Sequence, residues 1–258
     1  MTPDTLKGSI LVVKLGGRSI ETESGRAQLA RRLAQLRASG HRLVVVHGGG
    51  AQVTAAMEAT GIEARFVEGL RVTDGKTLEV AEPVFAHLGK LLAHALTDAG
   101  ASAIALTGRD ARLLVGRAKD PRLGRVGTIE QVDADLLRHL AFNGVTPVVG
   151  PIAVDGAGAL NVNADEVAAS VAKALGAREL LLLTDVPGVR GADGALLPRL
   201  APDAARRLVA EGVATGGMIP KVHGALDALA SGVARVRVLD EPGLERLAAG
   251  AEAGTVFA

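Results

Sequence analysis

Ile10-Leu-Val-Val-Lys-Leu-Gly-Gly17 decides the fold class: four apolar, mostly β-branched residues run into a lysine and then two glycines. An apolar run bounded by glycines predicts a buried strand that ends in a tight turn. Lys14 then stands at the carboxyl end of that strand, where open α/β sheets bind ligands. The glycines let backbone N–H groups approach an anion with no Cβ in the way. Taken alone, the octapeptide favours a plainer reading, in which Lys14 reaches out of the strand and the glycines only turn the chain. The rest of the sequence supplies the partners that reverse it.

At 258 residues the chain has length for one large α/β domain or two small lobes with an ample core. A hydrophobic share of 48% with mixed charges fits a soluble globular protein. The formal net charge of +1 argues against non-specific nucleic-acid binding, which needs a strong basic excess. With no Trp, no Tyr and four Phe there is no aromatic platform for single-stranded bases. The absence of cysteine excludes a disulfide scaffold, a thiolate metal site and a cysteine nucleophile. No apolar run reaches membrane-spanning length and the first ten residues lack a signal pattern, so a cytoplasmic protein without membrane contact is expected.

Downstream of Gly17, residues 23–39 carry Leu29, Leu33 and Leu36 at helical spacing, with Gly40 as the stop. Residues 41–47 predict a second strand, which meets Gly48-Gly-Gly50; a helix opens at once, over 51–60. Three glycines between a buried strand and a helix start form an anion cradle, because the first helical amides lack partners. Residues 61–74 are expected to be irregular and to end in Gly69-Leu-Arg-Val-Thr-Asp74. The Thr73/Asp74 pair suits an N-cap for a long helix over 77–96, with Leu78, Ala81, Phe85, Leu88, Leu92 and Ala95 on one stripe. That stripe is wider than one packing layer needs, so part of it is expected at a dimer interface. Arg71, at the mouth of the helix, has the fork to grip a carboxylate, although a single Arg in this chain is more often a solvated surface group.

Residues 103–106 predict a strand, 112–117 with 125–129 a surface hairpin, 133–143 a helix, 146–150 a strand and 155–158 a turn. In Asn161-Val-Asn-Ala-Asp165 the three polar residues face one way if the segment is extended. Capping of the helix over 166–175 needs only one of them. A strand over 179–185, a helix over 202–212, a helix opened by Thr215-Gly-Gly-Met-Ile-Pro-Lys221 and running to 230, and strands over 235–239 and 254–257 complete the chain. The alternation predicts an α/β fold with a largely parallel central sheet.

Three strand-to-helix junctions, at 16–17, 48–50 and 216–217, are thus rich in glycine, and Lys14 and Lys221 accompany two of them. Gly-x4-Gly-Lys-Ser/Thr, Gly-x-Gly-x-x-Gly and Gly-x-Ser-x-Gly patterns are absent from these sites, which turns the reading away from Walker-type, dinucleotide and acyl-transfer enzymes. His47, a strand-end histidine beside glycines, reads as structural. Phosphoryl transfer fits, because it asks for positioning and positive charge on oxygens. A carboxylate acceptor, with a pKa of roughly 4.3, is already ionised at neutral pH and needs no general base.

The ordered set Lys14-Leu-Gly-Gly17, His47-Gly-Gly-Gly50, Gly69-Leu-Arg-Val-Thr-Asp74, Asn161-Val-Asn-Ala-Asp165, Leu183-Thr-Asp-Val-Pro-Gly188 and Gly216-Gly-Met-Ile-Pro-Lys221 resembles the N-acetylglutamate kinases of the amino acid kinase superfamily. The resemblance covers nearly the whole chain. It implies a three-layer αβα sandwich with an open, mostly parallel sheet, residues 1–178 forming an acceptor-binding and dimerisation lobe and residues 179–258 a nucleotide-binding lobe. It further implies that Lys14 and Lys221 stabilise the transition state and that Asp165 holds both lysines. Gly49 and Gly50 would offer amides to N-acetyl-L-glutamate, Arg71 would bind its α-carboxylate and Asn161 its acetylamino-acid backbone. ATP would be held by Gly16, Gly17, Asp185, Val186, Pro187, Gly188, Val189, Arg190, Val213, Ala214, Thr215, Gly217 and Met218. Mg²⁺ would ride on the phosphates, with no protein ligand assigned.

Two departures stand out. The last core strand exits into Asp240-Glu-Pro-Gly243, unlike the family's usual stretch. Few residues precede the first strand, whereas arginine-inhibited members carry an extra N-terminal helix that links dimers into a hexamer, so a homodimer insensitive to arginine is expected. The alternative readings are a kinase of carrier-protein-linked aminoadipate in lysine synthesis and a non-catalytic sensor of nucleotide or amino acid. The Gly69–Asp74 form and the presence of Lys14, Asp165 and Lys221 weigh against them.

Overall fold

Residues 10–15 form a strand, β1 (Ile10–Leu15), in the interior of an eight-stranded sheet. The computed structural model describes residues 10–16, 18–215 and 218–258; Gly17, Gly216 and Gly217 lie outside the described residues. After β1 come α1 (Glu23–Ala38), β2 (Arg42–His47), α2 (Gly50–Ala59), β3 (Phe66–Val67), β4 (Leu70–Arg71) and α3 (Gly75–Asp98). Next are β5 (Ala103–Leu106), β6 (Leu114–Ala118), β7 (Val126–Val132), α4 (Ala134–Phe142), β8 (Thr146–Val149), β9 (Ile152–Asp155), β10 (Gly158–Val162) and α5 (Ala164–Leu175). The chain closes with β11 (Glu179–Leu183), β12 (Arg199–Leu200), α6 (Pro202–Ala210), α7 (Met218–Ala230), β13 (Val236–Leu239), α8 (Glu241–Ala248) and β14 (Thr255–Phe257).

The sheet order is β12-β14-β13-β11-β1-β2-β8-β5. β1 pairs in parallel with β11 on one side and β2 on the other, and the parallel pairing continues to β13, β8 and β5. β14 runs against β13 and carries β12 with it. Strands covered on both faces read as continuous apolar runs, and the two faces here divide β1 by its period of two. Ile10 and Val12 pack with Val167 and Val171 of α5 and Val222 and Ala225 of α7. Leu11, Val13 and Leu15 pack with Leu29 and Leu33 of α1 and Leu88 and Leu92 of α3. The result is the expected three-layer αβα sandwich. Lys14 continues the Ile10–Val12 series, so it emerges on the face covered by α5 and α7.

Three expectations are corrected. Residues 61–74 are not wholly irregular: β3 and β4 pair antiparallel, Phe66 opposite Arg71. The 112–117/125–129 segment is no isolated surface hairpin, because β6 and β7 close into a small barrel with β9 and β10, burying Leu114 and Val126. The apolar stripe of α3 is mostly consumed inside the protomer: Ala81, Phe85, Leu88 and Leu92 are buried. A helix, α8, follows the last core strand, capped by the Asp240 carboxylate on Gly243 N at 2.8 Å. Asp74 caps α3 as expected, accepting from Thr77 N at 2.8 Å.

Candidate active site

The carboxyl ends of β1 and β11 open into a cavity of about 830 Å³ lined by Lys14, Gly16, Asp165, Thr184, Asp185 and Lys221. The sheet order turns here, since β1 is followed by β2 on one side while β11 lies on the other, and ligands of open α/β sheets bind at such points. Lys14, brought in by β1, forms an ion pair with Asp165 in the first turn of α5, Nζ to Oδ1 at 2.9 Å. Lys221, on the first turn of α7, donates to Asp185 Oδ1 at 2.5 Å. The Asp185 carboxyl is held down to about 2, first by that lysine and then by the Thr184 hydroxyl, which donates to it at 3.0 Å. The expectation that Asp165 holds both lysines is therefore corrected. Asp165 takes Lys14, and Lys221 goes to Asp185, which leaves β11 below the start of α7.

The polar residues of 161–165 divide their work. Asn161, still in β10, donates from Nδ2 to Thr73 Oγ1 at 3.0 Å. Asn163 is the N-cap of α5 and accepts from Asp165 N at 2.8 Å. Asp165 is helical, so the segment is extended only as far as its cap.

A second cluster gathers around the start of α2. Gly49 has φ of +154°, and a Cβ there would lie 3.0 Å from Leu88 Cδ2 and 3.1 Å from Phe85 Cε1. No side chain caps this helix. Arg71 donates to Gly50 O at 2.9 Å and to Thr54 Oγ1 at 2.8 Å, and its guanidinium lies 4.8 Å from the Phe66 ring centroid. Burial lowers its pKa. Thr73 Oγ1 donates to Arg71 O at 2.9 Å, so Arg71, Thr73 and Asn161 form one connected group. Gly49, Gly50, Arg71 and Asn161 thus come together, beside rather than within the lining of the lysine cavity.

The stretches expected at the nucleotide are placed less uniformly. Asp185 lines the cavity. Val186 and Pro187 are half-buried, and Gly188 packs against Thr255. Val189 is fully buried and its N–H donates to Thr255 Oγ1 at 2.8 Å, so its side chain belongs to the core. Arg190 donates to Gly194 O at 2.7 Å. Val213 and Ala214 close the end of α6 through N–H bonds to Leu208 O at 3.0 and 2.9 Å, and Ala214 is buried. Thr215 is exposed and its carbonyl accepts from Met218 N at 3.1 Å. Gly17 and Gly217 lie outside the described residues.

Sequence reasoning missed Thr73, Thr184 and the far wall of the cavity, where Arg32 of α1 pairs with Glu241 and Glu245 of α8. Asp240 ahead of Pro242 and Leu244 was the available signal for α8, an N-cap followed by a proline in the first turn. His47 is fully buried, and burial pushes its pKa down to about 4, opposed by its bond to the Gly48 carbonyl. A histidine whose folded pKa lies below its unfolded value costs stability as pH falls from about 6.5 toward about 4, because the unfolded chain binds the proton first. Roughly 3 kcal/mol of stability is expected to be lost over that window. Urea midpoints at pH 7 and pH 5 will fall in the wild type and fall less in His47→Asn; equal losses would exclude His47 as the cause.

The amino acid kinase family model matches residues 9–240 of this chain. The chain belongs to the amino acid kinase family. Among curated relatives it is 44% identical over 250 residues to an acetylglutamate kinase of Solibacter usitatus (strain Ellin6076), covering 95% of this chain and 97% of that protein. It is 43% identical to an acetylglutamate kinase of Cereibacter sphaeroides (strain ATCC 17029 / ATH 2.4.9), covering 90% and 80%. Among solved structures it superposes on the N-acetylglutamate synthase of Neisseria gonorrhoeae, complexed with coenzyme A and N-acetyl-glutamate, with a TM-score of 0.83 at 26% identity. That match takes in 99% of this chain and 61% of the synthase, so this family member spans about three fifths of that longer protein.

Proposed function

We propose that this amino acid kinase transfers the γ-phosphoryl group of ATP to the γ-carboxylate of N-acetyl-L-glutamate, giving ADP and N-acetyl-L-glutamyl 5-phosphate for arginine biosynthesis. The observation that carries the reading is the pair of lysines, each oriented by its own aspartate, on one cavity at the strand ends. The likeness to acetylglutamate kinases over nine tenths or more of the chain supports it.

In the proposed reaction a γ-carboxylate oxygen forms the new O–P bond while the bond from the γ-phosphorus to the β,γ-bridging oxygen breaks, and ADP leaves with that electron pair. The carboxylate arrives ionised, so no side chain has to remove a proton. Lys14 and Lys221 neutralise charge on the transferring group, Lys14 from the strand bordering both halves of the sheet and Lys221 from the nucleotide half. Asp165 and Asp185 fix the two ammonium groups and spare them reorganisation during the reaction. Gly49 and Gly50 offer amides to the acceptor, Arg71 takes its α-carboxylate, and Asn161, steadied by Thr73, meets its acetylamino group. Residues 1–178 form the acceptor lobe, and residues 179–258 the nucleotide lobe, where Gly16, Asp185 and the stretches 186–190 and 213–218 surround ATP, several of them through backbone or packing. Magnesium would ride on the ATP phosphates with no protein ligand assigned, since Asp165 and Asp185 are each paired with a lysine. When bound, it would supply further charge neutralisation on the phosphates.

Hydroxylamine traps acyl phosphates as hydroxamates. With MgATP and N-acetyl-L-glutamate, hydroxamate should accumulate in step with ADP; ADP release without hydroxamate would contradict transfer to a carboxylate. A cytoplasmic homodimer completes the proposal, with edge strand β5 and its exposed Ile104 as the pairing surface. No helix among the described residues is long and apolar enough to cross a membrane. Sedimentation should give twice the 26.2 kDa chain mass; a monomer would refute the dimer.

A further inference from the structure

We propose that His47 is a positioning residue for the acceptor side of this site: its Nδ1–H holds the Gly48 carbonyl inward and so turns the Gly49 N–H outward. The inference rests on the acceptor role proposed for Gly49.

Gly48 is pinned at both ends. Its N–H donates to Leu15 O, the last residue of β1, at 3.0 Å, and its carbonyl lies 2.7 Å from His47 Nδ1. The peptide that follows is trans, and a planar trans peptide directs its C=O and N–H to opposite sides. A carbonyl drawn onto the fully buried ring therefore sends the Gly49 amide away from that ring. The next two carbonyls are also engaged, Gly49 O by Val53 N at 3.0 Å and Gly50 O by Arg71 at 2.9 Å. Among the described residues no protein acceptor takes the amides of Gly49 or Gly50. The carbonyls of the triad are used on the protein, and the amides of Gly49 and Gly50 remain for a ligand.

The ring is held in place by shape. A Cβ at Gly89 of α3 would stand 3.1 Å from His47 Nε2, and one at Gly150, just past β8, would stand 3.3 Å away. Nε2 itself has no hydrogen-bond partner. Because a carbonyl only accepts, the hydrogen resides on Nδ1 and Nε2 keeps a bare lone pair. A buried acceptor left unpaired is a standing cost, and a leucine would avoid it. Only the Nδ1 donor distinguishes histidine from leucine to advantage here.

The first test uses the wild-type protein. Long-range ¹H–¹⁵N correlation at neutral pH should show His47 as the Nδ1–H tautomer; the Nε2–H tautomer would overturn the inference, since Nδ1 then has no hydrogen to give. The second compares His47→Leu, which removes the donor, with His47→Asn, which places an amide NH₂ near the Nδ1 position. The acceptor KM should rise about tenfold or more in His47→Leu, as for loss of one hydrogen bond at a binding group, and return to within about threefold in His47→Asn, with the ATP KM unchanged in both. An unchanged acceptor KM in His47→Leu, or an equal rise in both KM values, would refute it. If His47→Leu does not fold, the tautomer and the His47→Asn kinetics still decide. If no acceptor turns over, the proposed function fails on its own while the tautomer still reports on His47.

Discussion

Lys14→Ala is expected to lower kcat with N-acetyl-L-glutamate by about 10²–10³-fold, the usual cost of deleting one preorganised group from a transition-state cradle. The loss should appear in kcat, because the charge it meets develops during transfer. Stability should barely move: Asp165, its ion-pair partner, is half exposed and is resolvated when the lysine goes. Lys14→Arg should not rescue. The guanidinium spreads over a planar fork the charge that the ammonium concentrates at one point. Lys221→Ala should cost a similar factor. The double variant should lose less than the product of the two, since both lysines serve one transferring group. Steady-state kinetics on purified variants with matched melting temperatures checks all of this, and a Lys14→Ala kcat within threefold of wild type would remove the lysine from the mechanism.

Gly49→Ala is expected to destabilise the protein by about 2–4 kcal/mol, from backbone strain together with overpacking. At φ of +154° a side chain is rarely tolerated, and the new Cβ would press on Leu88 and on the Phe85 ring. Both belong to α3, a 24-residue helix anchored in the sandwich, so they have little freedom to retreat. The acceptor KM should rise as the amide shifts. Gly50→Ala is the control: a Cβ there meets nothing within 4 Å and the residue opens a helix, so stability should change by less than about 1 kcal/mol. Urea unfolding of the two variants gives the comparison, and equal stabilities would mean that Gly49 is not confined as described.

The fold was legible because the sheet advertises itself. Residues 10–15 and 42–47 are apolar on both faces, as parallel strands covered by two helical layers must be, and the glycines after them mark the ligand end. What escaped was whatever depends on partners distant in sequence. β6 and β7 look like an exposed hairpin until β9 and β10 close the barrel over them. The stripe on α3 looks like surplus apolar surface until the sheet and α2 absorb it. Site residues followed the same rule. Lys14 and Lys221 stood out through local glycine context, whereas the exchange of carboxylates, Asp165 to Lys14 and Asp185 to Lys221, is set by where α5 and α7 begin above the sheet. Thr73 joins Asn161 to Arg71 across a separation of 88 residues that no local pattern reveals. Val189 and Ala214, expected at the nucleotide by motif, have their side chains spent on the core.

The most direct measurement is ADP release from MgATP with N-acetyl-L-glutamate, glutamate and N-acetylaminoadipate supplied separately, on the wild type and on Lys14→Ala. Turnover is expected with N-acetyl-L-glutamate, little with glutamate, which lacks the acetyl group that Asn161 is proposed to meet, and near-complete loss in the variant. N-acetylaminoadipate should be the weaker competitor, since one added methylene is worth about 1–3 kcal/mol of discrimination. Turnover with none of the three, or turnover untouched by the loss of Lys14, would contradict the proposed reaction.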